Sequence, residues 1–391
     1  MKLEPIAKNV FYVGVNDTSR KMFDAFLPLS EGTSYNSYLI EGSEKTVLID
    51  TVDHIKSEEL LKNLKQVKKI DYIVANHAEQ DHSGSLREVL KKYPEAKVLT
   101  TAYCKSMLID LLHIREDSFE LVVENQEVSL GDKTLRFIFT PWVHWPETFS
   151  TYLIEEKILF SCDFFGAHMS NKNIFVSDNE SENVIKQAKI YFAAIMMPFR
   201  ELIKRNLEKV NSLELEMIAP SHGPIYKNPE LILNAYQSWT TGENKDKVLI
   251  PYLSMHGSTE VLVRDLEKKL RAENIEAVVV DIEKEGMLGI VEHLVDSRFV
   301  IVGTPTMLNE AHPLVVLTMN VIRLLKSKIE FVGIIGSYGW GGRTIETIEN
   351  ALGDMEKEYF EPIMIKGLPK TNDLDEISKL IEKIISKIEN N

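Results

Sequence analysis

The chain has 391 residues, 44% hydrophobic and 27% charged, with 19 glycines and 14 prolines, which excludes collagen-like, low-complexity and disordered readings. Roughly 150 residues is a usual domain length, so two domains are expected, each able to bury its own core. A formal net charge of -14 argues against a nucleic-acid partner, no apolar run is long enough to span a membrane, and Lys2, Glu4 and Lys8 interrupt any signal-peptide core, so a soluble, cytoplasmic protein is expected.

The chain opens with short β-branched or aromatic runs at Asn9 to Val15, Ser34 to Ile40 and Lys45 to Asp50, separated by turn residues. Leu and Val spacing predicts a helix over Ser57 to Val67, followed by an apolar strand at Ile70 to Ala75. Further strands are expected at Lys97 to Thr100, Leu121 to Val123, Leu135 to Thr140, Thr151 to Ile154, Ile158 to Ser161 and Met217 to Pro220. Between the last two, a helix over Ile185 to Val210 is broken at Pro198. The segment TTGENKDK, Thr240 to Lys247, lacks any large apolar side chain and sets the domain boundary at Asp246. Beyond it, five strands (Val248 to Leu253, Ala277 to Asp281, Phe299 to Gly303, Phe331 to Gly336, Pro362 to Ile365) alternate with helices, the last spanning Asp373 to Ile388. That alternation predicts a doubly wound parallel sheet, whose ligands sit at the carboxyl ends of the strands.

Only two cysteines occur, Cys104 and Cys162, which excludes a disulfide scaffold, a four-cysteine zinc site and a four-cysteine iron–sulfur cluster. Any redox metal must therefore be held by imidazole and carboxylate. The segment NHAEQDHSG, Asn76 to Gly84, places His77, Glu79, Asp81 and His82 just after a buried strand. Two imidazoles beside two carboxylates suit zinc, iron or manganese; a plain polar loop whose side chains cap the next helix is the alternative. His144 in TPWVHWPET, Asp163 in LFSCDFF and His222 in APSHGP each follow a strand in the same way. Singly, His144 could be packed between Trp142 and Trp145, and His222 could be a turn residue. Jointly, the four segments point to one metal centre.

In the second half, the first strand runs into Ser254, Met255, His256, Gly257, Ser258 and Thr259 before a helix begins. Hydroxyls and backbone N–H groups at such a turn can cradle a phosphate, although an ordinary N-cap by Ser258 or Thr259 is the alternative. Neither a nucleotide-hydrolysing P-loop nor a dinucleotide fingerprint is present. Pro251 inside this strand implies an edge position or a local distortion. Two later loops follow the third and fourth strands: GTPTMLNEAHP, with Thr304, Pro305, Thr306 and Asn309, and GSYGWGG, with Ser337, Tyr338, Gly339, Trp340, Gly341 and Gly342. Both lie at the ligand-binding end and allow backbone approach and aromatic stacking against a planar ring, although the aromatics could instead be simple core filler.

The first half resembles the metallo-β-lactamase fold, an αββα sandwich whose dinuclear signature is HxHxDH followed by single His, Asp and His ligands at strand ends. Glu79 replaces the second histidine of that signature, and this is the pattern of the flavodiiron proteins. With the flavodoxin-like second half, the chain resembles a class A flavodiiron protein over essentially its whole length, residues 1–246 forming the diiron domain and 247–391 the FMN domain. The resemblance implies that His77, Glu79 and His144 bind one iron, Asp81, His82 and His222 the other, and Asp163 bridges them, with no catalytic side chain beyond these ligands. It implies one FMN and two irons per chain, reduction of O2 to water or NO to N2O, and a head-to-tail homodimer or a pair of such dimers. With no rubredoxin segment after Asn391, a separate donor is expected, rubredoxin or the reduced deazaflavin F420. The competing readings are a zinc hydrolase of metallo-β-lactamase type fused to a flavodoxin module, and an electron-transfer module with a structural metal.

Overall fold

In the amino-terminal half, strand alternation sorts side chains between two cores. Tyr38, Ile40, Val47, Ile49, Val74 and Leu99 face one buried cluster, while their neighbours Leu39, Leu48, Ile73 and Val98 face another. The first cluster also holds Phe137, Phe149, Leu153, Ile158 and Phe160 from a second sheet, so it fills the space between two sheets. The second cluster is completed by Leu60, Leu86, Val89 and Leu108 from helices. The structure, a computed structural model, describes residues 3–23, 25, 27–170, 173–241 and 245–390.

The first sheet has seven strands, in the order Glu4–Ala7, Val10–Tyr12, Tyr38–Glu41, Thr46–Ile49, Tyr72–Val74, Lys97–Thr100 and Phe119–Leu121. The second has five: Glu127–Ser129, Thr134–Phe139, Phe149–Leu153, Ile158–Cys162 and Met217–Pro220. Helices Ser57–Asn63, Leu86–Lys92 and Ala102–Leu112 cover the outer face of the first sheet. Pro229–Thr241 lies on the outer side of the second, where Tyr236 packs on Phe164 and Phe165. The result is the αββα sandwich of the metallo-β-lactamase fold. Thr46–Ile49 runs parallel to Tyr72–Val74, and Ile158–Cys162 runs parallel to Met217–Pro220, so each pair gathers its carboxyl ends together.

The expected strand at Leu121 to Val123 instead occupies Phe119–Leu121, paired in parallel with Val98–Thr100, because Val123 turns away into the bend that leads to the second sheet. The expected long helix resolves into Ser181–Tyr191, a wide turn at Phe192–Met196, a short 3-10 turn containing Pro198, and Arg200–Asn211. Proline cannot donate to the helical ladder, which accounts for the break.

The carboxyl-terminal half carries a parallel sheet ordered Glu276–Asp281, Lys245–Tyr252, Ser297–Met307, Phe331–Tyr338 and Ile363–Lys366. In chain order that is 2-1-3-4-5, the flavodoxin-like arrangement. Pro251 is not on an edge strand: Lys245–Tyr252 is flanked on both sides, and Pro251 aligns with Val280. On the other side the paired residues skip Ile250 and Pro251 while keeping the same offset, which fits the missing N–H of proline. The strand begins at Lys245, one residue before the boundary expected at Asp246, because Lys245 already pairs with Ser297. Gly242, Glu243 and Asn244 of the expected boundary segment lie outside the described residues. The fold separates into two units, Met1–Phe192 with Phe199–Thr241, and Ala193–Pro198 with Gly242–Asn391. Among the described residues no helix is long and apolar enough to cross a membrane.

Candidate functional site

The end of strand Thr46–Ile49 anchors two of the loops that carry the expected ligands, one of them at both of its ends. Asp50 accepts hydrogen bonds from the backbone N–H and the side-chain amide of Asn76, both at 2.8 Å, which fixes the residue before His77. Ser221, the residue before His222, reaches the same carboxylate at 3.5 Å. Thr51 donates to the carbonyl of His82 through both its N–H and its hydroxyl. At Gly84 an added Cβ would lie 2.3 Å from the carbonyl of Gln80 and 2.7 Å from the backbone nitrogen of His54, so this loop closes only on glycine.

Two donor groups result. His77, Glu79, His144 and Asp163 place ligand atoms within 4.8 Å of one another, and so do Asp81, His82 and His222. Asp163 joins them. Its Oδ2 lies 3.5 Å from His77 Nε2 and 3.6 Å from His144 Nε2, and its Oδ1 lies 3.0 Å from His82 Nε2 and 3.6 Å from His222 Nε2. Glu79 Oε2 sits 3.2 Å from His77 Nε2 and 3.0 Å from His144 Nε2, while Asp81 meets His82 at 3.2 Å and His222 at 3.0 Å. All seven expected residues thus meet in one place.

The chemistry of this set fits a dinuclear metal centre. Both carboxylate oxygens of Asp81, both ring nitrogens of His82 and Oδ2 of Asp163 are buried without a hydrogen-bond partner, although charged groups stand within ion-pair distance. Orphaned buried donors are costly unless something else binds them, and here they converge instead of pairing off. A third grouping of His82, Asp163 and Cys162 is less suited to a metal, because burial pushes the Cys162 thiol well above its usual value and keeps it protonated.

Without metal, carboxylates facing His77 and His82 favour the protonated form of both rings. Burial alone would depress His77 and His82; the hydrogen bonds that His77 donates to Glu147 and Glu79 outweigh it for His77, which is held well above its usual value. The charges of Asp81 and Asp163 push His82 up to about 9. Burial likewise opposes ionisation of Glu79 and Asp163, yet the facing imidazoles hold both well below the usual carboxylate range.

Several surrounding groups carry no spacing pattern that would reveal them in advance. Glu147 accepts from His77 Nδ1 at 2.7 Å and from the N–H of Ala78 at 3.1 Å. Tyr191 donates to Asp163 Oδ1 at 2.7 Å, and the Ser34 carbonyl accepts from His222 Nδ1 at 2.7 Å. His168 is buried against His222, Tyr191 and Phe23 and bonds to Thr33 at 3.0 Å; burial and then the charge of His222 keep it neutral. Glu147 could have been suspected, since it lies in the same short segment as His144; Tyr191, deep in a helix, offers no such cue.

In the second unit, a cleft of about 190 Å³ opens at the carboxyl ends of the strands. It is lined by Ser254, Met255, His256, Ser258, Thr259, Pro305, Thr306, Ser337, Tyr338 and Gly339, all expected, and by Gly367, which was not. Thr304, Asn309, Gly257, Trp340, Gly341 and Gly342 do not line it. Thr304 is buried beneath, where its hydroxyl bonds the Pro305 carbonyl and the His312 N–H. Asn309 instead ties two loops together by accepting from the N–H of Gly342 at 2.8 Å.

The cleft suits a phosphate-bearing flavin. Gly257 has φ +85° at the helix start, and neither it nor Gly339 has any atom within 4 Å of an added Cβ, so both border open space. Ser254 Oγ accepts from the N–H groups of Gly257 and Glu260, which preshapes the turn. The helix Ser258–Ala272 then presents its positive N-terminal end there. A larger furrow of about 850 Å³, between Lys326–Glu330 and Gly353–Glu356, lies at the opposite ends of these strands, away from the motif residues.

Fold and site together define a metallo-β-lactamase-type dinuclear metal unit joined in one chain to a flavodoxin-type unit. Comparison with known proteins agrees. A family described as "ODP family beta lactamase" matches residues 33–223. The chain is 34% identical to a nitric oxide reductase of Moorella thermoacetica over 98% of both proteins. It is 33% identical to an anaerobic nitric oxide reductase flavorubredoxin of Vibrio vulnificus, over 93% of this chain and 76% of that one. The rubredoxin oxygen:oxidoreductase of Desulfovibrio gigas superposes with a TM-score of 0.94 at 27% identity, covering 100% of this chain and 99% of that one. The flavodiiron protein of Giardia intestinalis gives 0.93 at 27% identity, covering 100% and 98%. The chain belongs to the flavodiiron protein family.

Proposed function

We propose that this protein is a class A flavodiiron oxidoreductase that reduces O2 to water, NO to N2O, or both, with electrons passing through FMN to a non-haem diiron centre. The observation that carries the reading is the matched pair of donor groups around Asp163, each offering two imidazoles and one carboxylate of its own. The oxygen-rich set, with Glu79 in place of a histidine, favours iron over zinc. The relatives named for nitric oxide reduction and for rubredoxin-dependent oxygen reduction support the reaction class.

In this reading His77, Glu79 and His144 would hold one iron and Asp81, His82 and His222 the other, with Asp163 offering one carboxylate oxygen to each group. FMN would supply the capacity to take electrons in pairs and release them singly, and two irons would supply the reducing equivalents for the gas. The chain's own residues set the conditions. His77, Asp81, His82, Asp163 and His222 are buried, which excludes bulk water from that side, whereas Glu79 and His144 are partly exposed and mark the side of gas entry. Trp145 stands edge-on to His77 at 4.9 Å and gives this entrance an apolar wall. Asp50, through Asn76, Ser221 and the neighbouring Thr51, keeps the ligand loops in place as metals come and go.

FMN is placed with its phosphate at Ser254, Gly257, Ser258 and Thr259 and its ring against Pro305, Thr306, Tyr338 and Gly339, with Trp340 at the rim. Met255, Leu308, Trp340 and Leu368, all exposed apolar residues from loops at this end of the sheet, support a head-to-tail homodimer in which a second copy covers the flavin. Rubredoxin is the donor in preference to reduced F420, and the protein works in the cytoplasm.

The test is metal and flavin analysis followed by anaerobic stopped-flow of the fully reduced protein against O2 and NO. About two irons and one FMN per chain, with reoxidation by at least one gas within turnover time, are expected. Zinc alone, with no gas consumed, would overturn the reading in favour of a hydrolase.

A further inference from the structure

The two donor groups are equal in their innermost ligands and unequal in what stands behind them. Each has two imidazoles, one carboxylate of its own and one oxygen of Asp163. Behind the first, His77 Nδ1 donates to the Glu147 carboxylate at 2.7 Å, with both side chains fully buried. Behind the second, His222 Nδ1 donates to the neutral carbonyl of Ser34, and His82 Nδ1 is buried with no hydrogen-bond partner. A carboxylate on the far nitrogen makes an imidazole a stronger donor toward its metal than a carbonyl does.

A second observation, from a different element, points the same way. Tyr191 donates to Oδ1 of Asp163 at 2.7 Å, and Oδ1 is the oxygen that faces His82 and His222. Oδ2, the oxygen facing His77 and His144, carries no hydrogen bond. A donated hydrogen bond draws electron density from the oxygen that accepts it. Asp163 is therefore the stronger ligand on the His77 side and the weaker on the His82 side.

We propose that Glu147 and Tyr191 are positioning residues that make the two iron pockets electronically unequal, so that the iron held by His77, Glu79 and His144 is oxidised first and at the lower potential. The inference rests on the ligand assignment of the preceding section. It concerns removal of one electron from the diferrous cluster, with no bond made or broken in the protein. Neither residue reaches the iron: Glu147 acts through His77, and Tyr191 acts through Asp163.

The experiment is a potentiometric titration of the iron-loaded, FMN-containing full chain, followed by electron paramagnetic resonance and Mössbauer spectroscopy, in the native protein and in Glu147→Gln and Tyr191→Phe. Iron content is measured first. Fewer than two irons per chain in the native protein would overturn the ligand assignment and this inference with it. With two irons present, the native protein is expected to show two separated iron potentials. Glu147→Gln raises the lower one, and Tyr191→Phe lowers the upper one, so each variant narrows the gap. The FMN potentials stay where they were, which a general loosening of the fold would not achieve. The inference falls, and the ligand assignment stands, if both iron potentials move together in each variant or if Tyr191→Phe widens the gap. Should Glu147→Gln lose iron, Tyr191→Phe decides alone.

Discussion

In the proposed ligand assignment, a proton and an iron compete for the same nitrogens on His77 and His82. In the metal-free protein both imidazoles are raised, His82 to about 9 from an ordinary 6.5, because buried carboxylates face them. A group with a raised folded value stabilises the fold fully below its unfolded value and loses that contribution as pH rises through its folded one. The metal-free protein therefore weakens between pH 6.5 and about 9, while iron, which needs the unprotonated ring, binds better over the same interval. The difference in melting temperature between iron-loaded and metal-free protein should widen steadily across that range, and iron binding at neutral pH should release protons, measurable by calorimetry in buffers of different ionisation enthalpy. A constant difference would mean that the cluster is not charged as described. Glu79 allows a second residue-level check. Glu79→His removes the carboxylate that distinguishes NHAEQDH from a zinc signature, so the variant should retain less iron and more zinc than the native chain when both are offered, as read by elemental analysis.

At the scale of elements, the strand Ser297–Met307 shows how turn chemistry escapes a reading based on hydrophobic pattern. The expected strand stopped at Gly303, but Thr306 and Met307 fold back onto Glu310 and Ala311 around a two-residue turn, Leu308 at φ 50° and Asn309 at φ 70°. Such a turn favours Asn or Gly at both positions, and nothing in MLNEA announces it because Leu308 is a poor choice there. Leu308→Asn should therefore stabilise the full chain by about 1 kcal/mol, the order of the penalty a branched side chain suffers in this region, and chemical denaturation would show it. Asn309 also holds the Gly342 N–H. Asn309→Ala should weaken FMN binding by roughly fivefold, the loss of about 1 kcal/mol for one hydrogen bond, measured by flavin fluorescence titration. Where periodicity and strand ends carry the information, the sequence was easily read: Lys97–Thr100 and Met217–Pro220 lie where expected, and each metal-site residue follows a strand or opens a loop. Helix Pro229–Thr241 was missed although Pro229 and the spacing of Ile232, Tyr236 and Thr240 carry its signal. Tyr191 was beyond reach, because its role comes from a tertiary contact that no local pattern encodes, whereas Glu147 had a cue in its nearness to His144.

For the whole molecule, the question is whether an electron moves from flavin to iron along one chain or between two. The proposed head-to-tail dimer answers that it crosses from one copy to the other, and this can be tested without a structure of the dimer. One variant, His77→Ala, disables the metal centre and leaves the FMN cleft untouched, since His77 belongs to the first unit. The other, Ser258→Glu, sets a negative charge in the cleft at the helix start and repels the flavin phosphate while leaving the metal ligands intact. Each variant alone should have little activity with any electron donor. Co-expressed in equal amounts, they form mixed dimers in which an intact flavin of one copy faces an intact metal centre of the other. Random pairing makes about half the dimers mixed, each with one working pair out of two, so activity should return to on the order of a quarter of the native level. Transfer confined to a single chain predicts no recovery at all, because no chain in the mixture carries both intact sites. Recovery must also require exchange of subunits: mixing the two purified variants under conditions that hold dimers together should restore nothing until the dimers are dissociated and reassembled.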